Sequence, residues 1–217
     1  MKQRRRWAPR PGLSTLNPDF SPLNSARFSG RRERLVSTLR AADRLTASLL
    51  RSRMRGMNLR VLTTGGTIDK VYFDAASTYD VGDPQVDPVF RESNVTFEYV
   101  VEPVLRKDSL VMTDADRALI RERVVAAPER LILITHGTDT MTKTAESLKG
   151  IEDKVIVFTG SMVPARFRSS DAIFNLGCAI GAVQILPPGI YIAMNGRISP
   201  ADSVQKNRSL SRFEAKL

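Results

Sequence analysis

The stretch Leu131-Ile132-Leu133-Ile134-Thr135-His136-Gly137-Thr138-Asp139-Thr140 runs four consecutive apolar residues straight into a polar, glycine-bearing segment. An apolar run this short, ended so abruptly, reads as a strand buried on both faces. The same transition occurs about seventy residues earlier, where the run from Leu59 to Leu62 leads into Thr63-Thr64-Gly65-Gly66-Thr67-Ile68. Beyond these two runs, strands are predicted over residues 59–63, 95–101, 130–135, 155–159 and 189–194, with helices over 114–126, 141–148 and 170–185. Alternating β and α units specify an α/β fold: a single Rossmann-like domain whose mostly parallel sheet is covered by helices on both faces. In such a sheet the ligand site lies beyond the carboxyl ends of the strands. Both polar stretches fall there, as do Lys107-Asp108-Ser109, Gly160-Ser161-Met162 and the segment from Asn195 to Lys206.

The chain has 217 residues and a formal net charge of +10, which taken alone points to nucleic acid or a membrane surface. The distribution removes that reading for most of the chain. Residues 1–56 hold fourteen Lys and Arg against three acids (Asp19, Glu33 and Asp43), a net of +11, leaving residues 57–217 at −1. The division is therefore a basic, Arg- and Pro-rich extension over 1–56, expected to be disordered, and a near-neutral globular domain over 57–217. Within the extension only 33–53 has helical spacing, with Leu35, Leu39, Leu45 and Leu49 roughly on one face. Four readings of the extension stand: an upstream stretch that is not translated because the protein starts at Met57, an organelle transit peptide, an arm for nucleic acid or membrane, or an inert tail. Neither a secretory signal core nor a run of the roughly 18 apolar residues needed to span a bilayer is present, so no membrane partner is expected. Nucleic acid would be met only through residues 1–56.

Cys178 is the only cysteine and His136 the only histidine. One cysteine permits no internal disulfide and suits a reducing, cytoplasmic setting; its apolar surroundings suggest a small buried hydrophobe. One His and one Cys cannot build a three-His zinc site or a Ser-His-Asp triad, so metal catalysis is not indicated. The chemistry left is that of hydroxyls. A threonine at a glycine-bounded turn can attack a carbonyl if a base takes its proton. Gly65-Gly66 would present Thr67 in this way, and Gly137 would present Thr138. Asp139 would hold a lysine or a substrate ammonium, and the base would be Lys or Tyr. The bland alternative for Thr63 to Ile68 is a strand-to-helix turn or an anion cradle.

Together the stretches TTGGTI, HGTDT and FTGSMVPARFRSSDAIFNL, in that order, resemble the bacterial-type L-asparaginase family over most of residues 57–217. The resemblance implies that Thr67 is the nucleophile and that Tyr79, within STYDVGDP, is a lid tyrosine contacting it. It further implies that Ser109 binds the substrate α-carboxylate, with Gly66, Asp108 and Gly137 lining the same site. Thr138, Asp139 and Lys206 would form a Thr-Lys-Asp triad. The implied reaction is hydrolysis of asparagine, or of glutamine, to the acid and ammonia through a threonine acyl-enzyme, without a cofactor and in a homo-oligomer. The family usually carries a C-terminal domain, whereas this sequence ends at Leu217, so a single-domain member is expected, with Asp139 alone holding the substrate amino group unless a neighbouring copy supplies an acid. Two other functions remain open at this point: an amidase-type subunit acting on a larger, tRNA-linked amide, and a non-catalytic module that binds Asn or Asp.

Trp7 is the only tryptophan and lies in the extension. Its fluorescence in the full chain is expected to be red-shifted and quenched readily by iodide, and a chain beginning at Met57 should keep the thermal midpoint within about 2 °C. A blue-shifted, quencher-protected Trp7, or aggregation of the shortened chain, would move the domain boundary upstream.

Overall fold

The computed structural model describes residues 57–73 and 78–216; the expectations for 1–56, the helix over 33–53 among them, lie outside the described residues. In chain order the elements are β1 (Asn58–Gly65), β2 (Lys70–Phe73), β3 (Thr78–Val81), α1 (Val86–Glu92), β4 (Glu98–Lys107), α2 (Asp114–Ala126), β5 (Leu131–Thr135), α3 (Met141–Ser147), β6 (Val155–Thr159), α4 (Ala172–Ile185), β7 (Gly189–Met194), β8 (Arg197–Pro200), β9 (Val204–Asn207) and β10 (Arg212–Ala215). The central sheet has the order β4-β1-β5-β6-β7-β8. Its first five strands are parallel, and β8 folds back antiparallel on β7. Two antiparallel hairpins, β2 with β3 and β9 with β10, stand apart from it.

Alternation along each strand divides the core into two layers. Leu59, Leu131 and Val155 are in register, as are Val61, Leu133 and Val157; these pack with Val86, Val89 and Phe90 of α1 and with Leu176, Ala179 and Val183 of α4. Leu62, Ile134 and Phe158, one residue further on, face the opposite layer with Ile120 and Val124 of α2 and Met141 and Ala145 of α3. Strands covered on both sides must be apolar at every position, as these runs are. Each buried Leu, Ile or Phe contributes about 1.5–3 kcal/mol relative to exposure.

The structure departs from the sequence expectations at several places, each with a physical reason. The second strand covers Glu98–Lys107 rather than 95–101. Phe97, Tyr99 and Val101 do alternate toward one core layer, with Phe90 edge-on to Phe97 and Tyr99, but Pro103 hid the continuation. β4 is an edge strand, where a proline without an N–H is tolerated. Helix α1 was obscured by Pro88, which sits in its first turn, where no intrahelical N–H bond is lost. Helix α4 begins at Ala172 rather than 170, after Asp171 at its N-cap. Cys178 is half-buried rather than buried, while Ile173 and Phe174 are exposed. Among the described residues, no helix is long and apolar enough to cross a membrane.

Strand order also fixes where a ligand can sit. From β1 the chain crosses to β4 on one side, and from β5 it proceeds outward through β6 and β7 on the other. The crossovers diverge between β1 and β5, and the crevice outside their carboxyl ends is the site such a topology offers. Phe158 is fully buried beneath it, and Phe158→Ala is expected to cost about 3–5 kcal/mol in urea unfolding. A loss under about 1 kcal/mol would show that this layer is not the tight core described.

Candidate active site

At the crevice three adjacent strands carry threonines in register near their carboxyl ends: Thr63, Thr135 and Thr159. Thr64 Oγ1 donates to the Thr135 carbonyl at 2.9 Å, tying the loop after β1 to the end of β5. Gly65 and Gly66 then adopt φ of 88° and 85°, a region that L side chains rarely enter. At Gly66 a side chain is excluded twice over. A Cβ there would fall on the Gly137 backbone, 2.5 Å from its Cα, and a Cβ on Gly137 would lie 2.6 Å from Ser109 Oγ. Three segments that follow β1, β5 and β4 thus meet, the Gly66 backbone on the Gly137 backbone and Gly137 on the Ser109 side chain, with Thr67 and Thr138 each one residue beyond the contact.

Thr67 opens a short 3-10 turn, Thr67–Asp69, whose N-cap is Gly66. Thr138 is buried, and its Oγ1 accepts from Lys206 Nζ at 2.7 Å; the same ammonium reaches Asp139 Oδ1 at 3.1 Å. Arg208 Nε lies 3.4 Å from that carboxylate oxygen. Lys206 arrives on β9, opposite Phe213 of β10. Val204 and Phe213 sink this hairpin into the core, and Asn195 Oδ1 accepts from Phe213 N at 2.9 Å. Asn195 N in turn donates to Asn175 Oδ1 at 3.2 Å, and Asn175 Nδ2 donates to the Gly160 carbonyl at 3.0 Å. The buried Asn175 therefore links the lysine hairpin to the loop after β6.

Ser109 is buried at the start of a second 3-10 turn, capped by Asp108, which accepts from Leu110 N at 3.0 Å. Ser109 Oγ has no hydrogen-bond partner among the described residues. Thr140 Oγ1 holds the Ser109 carbonyl at 2.8 Å, which fixes this turn against the loop after β5. Partial burial alone would raise the Asp108 carboxyl, but the Leu110 N–H, Lys70 at 2.6 Å and the charge of Lys206 together hold it below the usual carboxylate range. Tyr79 is placed by its backbone, on β3 opposite Tyr72.

His136 is fully buried. Its Nδ1 lies 2.7 Å from the Gly137 carbonyl, which only accepts, so Nδ1 carries the proton and Nε2 accepts from Thr144 Oγ1 at 2.8 Å. Burial lowers its pKa to about 4, against the opposing Gly137 bond and with the Arg117 charge. The ring pins the loop that carries Thr138 to α3. No group of three or more His, Cys, Asp or Glu able to hold a metal occurs among the described residues. A cavity of about 580 Å³ lined by Lys143, Gly150, Gly189, Tyr191 and Lys216 lies apart from this site and is lined by none of Thr67, Ser109, Thr138, Asp139 or Lys206.

Sequence reasoning did not single out Asp69, Lys70, Thr140, Asn175 or Arg208. For Asp69 a signal existed: an acid follows directly on TTGGTI. It is 2% exposed, and burial pushes its pKa up to about 7, against the Gln85 N–H and Arg106. A smaller cavity of about 290 Å³ lies beside it, lined also by Thr63, Gly82, Asp83 and Arg106.

Residues 58–215 match the family described as asparaginase, N-terminal. The L-asparaginase of Thermococcus kodakarensis is 34% identical over 164 residues, covering 71% of this chain and 49% of that protein. Its solved structure superposes with a TM-score of 0.64 at 29% identity, covering 73% of this chain and 51% of that one. One component of the glutamyl-tRNA(Gln) amidotransferase of Thermoplasma acidophilum is 30% identical over 130 residues, covering 56% of this chain and 31% of that protein. The chain spans about half the length, or less, of these relatives.

The raised pKa of Asp69 makes a signed prediction. A carboxyl that titrates near 7 when folded and near 3.8 when unfolded lends its stability below about 4, loses it as pH rises to about 7, and lends none above. Asp69→Asn cannot ionise yet keeps the oxygen that accepts from Gln85. Its unfolding free energy should match the parent at pH 4 and exceed it at pH 8 by up to about 4 kcal/mol. An equal difference at both pH values would mean that Asp69 titrates normally.

Proposed function

This chain belongs to the asparaginase family, and on that premise we propose that residues 57–217 form an amidohydrolase domain that converts L-asparagine to L-aspartate and ammonia through an acyl-enzyme on Thr67. The observation that carries the reading is the contact of Lys206 Nζ with Thr138 Oγ1 at 2.7 Å and Asp139 Oδ1 at 3.1 Å, beside the Gly66–Gly137 approach. A lysine bonded to a buried threonine hydroxyl and a carboxylate forms a path along which a proton can move without histidine.

In the first half-reaction the Thr67 oxygen attacks the side-chain amide carbon, the C–N bond breaks, and the threonine proton leaves with the nitrogen as ammonia. In the second, water adds to the ester and the C–O bond to Thr67 breaks, restoring the hydroxyl and giving a carboxylic acid that ionises. Thr138 and Lys206 hold and relay the proton, while Asp139 keeps the ammonium end of Lys206 in place. Ser109 Oγ is buried without a partner among the described residues, so it is a free donor for the substrate α-carboxylate. Tyr79 on β3 would close over the site. Substrates are small amino acid amides of the asparagine and glutamine type, with no cofactor; the working form is a homo-oligomer in the cytoplasm.

The similarity to an amidotransferase component favours one further reading, a tRNA-linked amide as the physiological substrate or source of ammonia. Ammonia release from free asparagine by the full chain separates the two, since the second reading predicts none.

Thr67→Ala and Thr138→Ala should each lower ammonia release on the order of a thousandfold, because members of one catalytic unit are not additive. Lys206→Met should abolish it in a folded protein, and Lys206→Arg should not restore it, since a guanidinium keeps its proton near neutral pH. More than a tenth of the parent rate in either threonine variant, or parental rates in the arginine variant, would overturn the corresponding role.

A further inference from the structure

Two residues beyond Thr67, the buried Asp69 makes contacts that the reaction above does not use. Its backbone carbonyl accepts from Gly82 N at 2.8 Å, directly behind the pairing of Lys70 with Val81 that closes the β2–β3 hairpin. Its Oδ1 accepts from Gln85 N, also at 2.8 Å, on the segment by which the chain leaves that hairpin for α1. Gln85 is itself buried; its Nε2 donates to the Asp83 carbonyl at 2.7 Å, and its Oε1 accepts from Arg166 Nε at 3.1 Å. From the other side, Ala165 N donates to the Ile68 carbonyl at 3.1 Å. The Val81 side chain lies against Gly65, where an added Cβ would be 2.8 Å from its Cγ1. Apart from the ion pair of Lys70 with Asp108, these routes from the hairpin into the body of the domain pass through residues 65–69 or their immediate partners. The charged neighbours of Asp69, Arg106 and Asp83, line the same cavity and are paired with each other. An acid buried in a turn is costly unless its oxygens are bonded, and here the bond goes to the hairpin's exit rather than to solvent.

We propose that Asp69 is a positioning residue that locks the β2–β3 hairpin onto the Thr67 turn, so that the placement of the hairpin bearing Tyr79 and the orientation of the nucleophile are set together. Only the catalytic half of this rests on Thr67 being the nucleophile. The clamp itself is a matter of two N–H groups and one side chain. An acceptor oxygen is required, not a charge.

The test uses the full chain and two variants, Asp69→Ala and Asp69→Asn, with two readouts: kcat and KM for ammonia release from asparagine, and hydrogen exchange at the Gln85 amide. In Asp69→Ala the Gln85 amide should exchange about tenfold faster or more, because its partner is gone. The same variant should lose about tenfold or more in kcat at a temperature where it stays folded, with KM changed by less than about threefold. Asp69→Asn offers an oxygen to the same N–H and should restore both readouts to within about threefold of the parent. A purely structural contact would lower the midpoint of Asp69→Ala and leave kcat of the folded protein alone, which would overturn the positioning role. An Asn variant as impaired as the Ala variant would overturn the acceptor mechanism. If the parent released no ammonia from asparagine, the nucleophile assignment would fall separately, and unchanged Gln85 exchange in Asp69→Ala would then sink the clamp as well.

Discussion

The approach of the Gly66 backbone to the Gly137 backbone is the constraint from which the rest of the site follows. Two loops from strands β1 and β5 can meet at this distance only if Gly66 carries no side chain, since a Cβ there would fall 2.5 Å from the Gly137 Cα. Because β1 and β5 are neighbours in register from Leu59 to Thr63, the loops leave the sheet side by side and the glycines close the gap between them. The third loop joins through Ser109, packed against Gly137. A side chain at Gly66 would collide with the Gly137 backbone and one at Gly137 with Ser109, so the contact of these three loops requires glycine at both positions.

Electrostatics then decide what the assembled hydroxyls can do. Lys206 is brought from far along the chain by a hairpin whose anchors are apolar, Val204 and Phe213, so its charge is delivered by packing rather than attracted by the site. Once there it is shared between Thr138 Oγ1 and Asp139 Oδ1, and its field reaches Asp108. His136 shows the opposite treatment. It lies one residue from the Gly66 contact, yet burial holds it neutral against the Gly137 bond, so in the proposed reaction the proton path passes through lysine.

The central sheet was legible because strands covered on both faces leave continuous apolar runs, and β5, β6 and β7 lie where 131–134, 155–158 and 189–194 placed them. The edge of the sheet was less so: β4 mixes Glu98, Glu102 and Pro103 into a half-exposed pattern that carries no clean period. The hairpins were invisible for a related reason, since four-residue strands give too few positions for a period of two to register. The pairing of Lys206 with Thr138 and Asp139 came from motif resemblance, not from spacing, because nothing local relates residues so far apart. Asp69 was missed although it adjoins the most conspicuous motif. Its role depends on burial and on Gln85, and neither can be read from a lone acid after a turn.

The central claim is that the loop contact presents Thr67 as the atom that becomes acylated. Rapid quenching of the full chain during turnover of asparagine, followed by intact-mass and peptide mass spectrometry, tests it directly. The account predicts a transient adduct with the added mass of one aspartyl group, carried on the peptide that contains Thr67 and absent from the peptide that contains Thr138. An adduct on the Thr138 peptide, or ammonia released with no adduct on either, would contradict it.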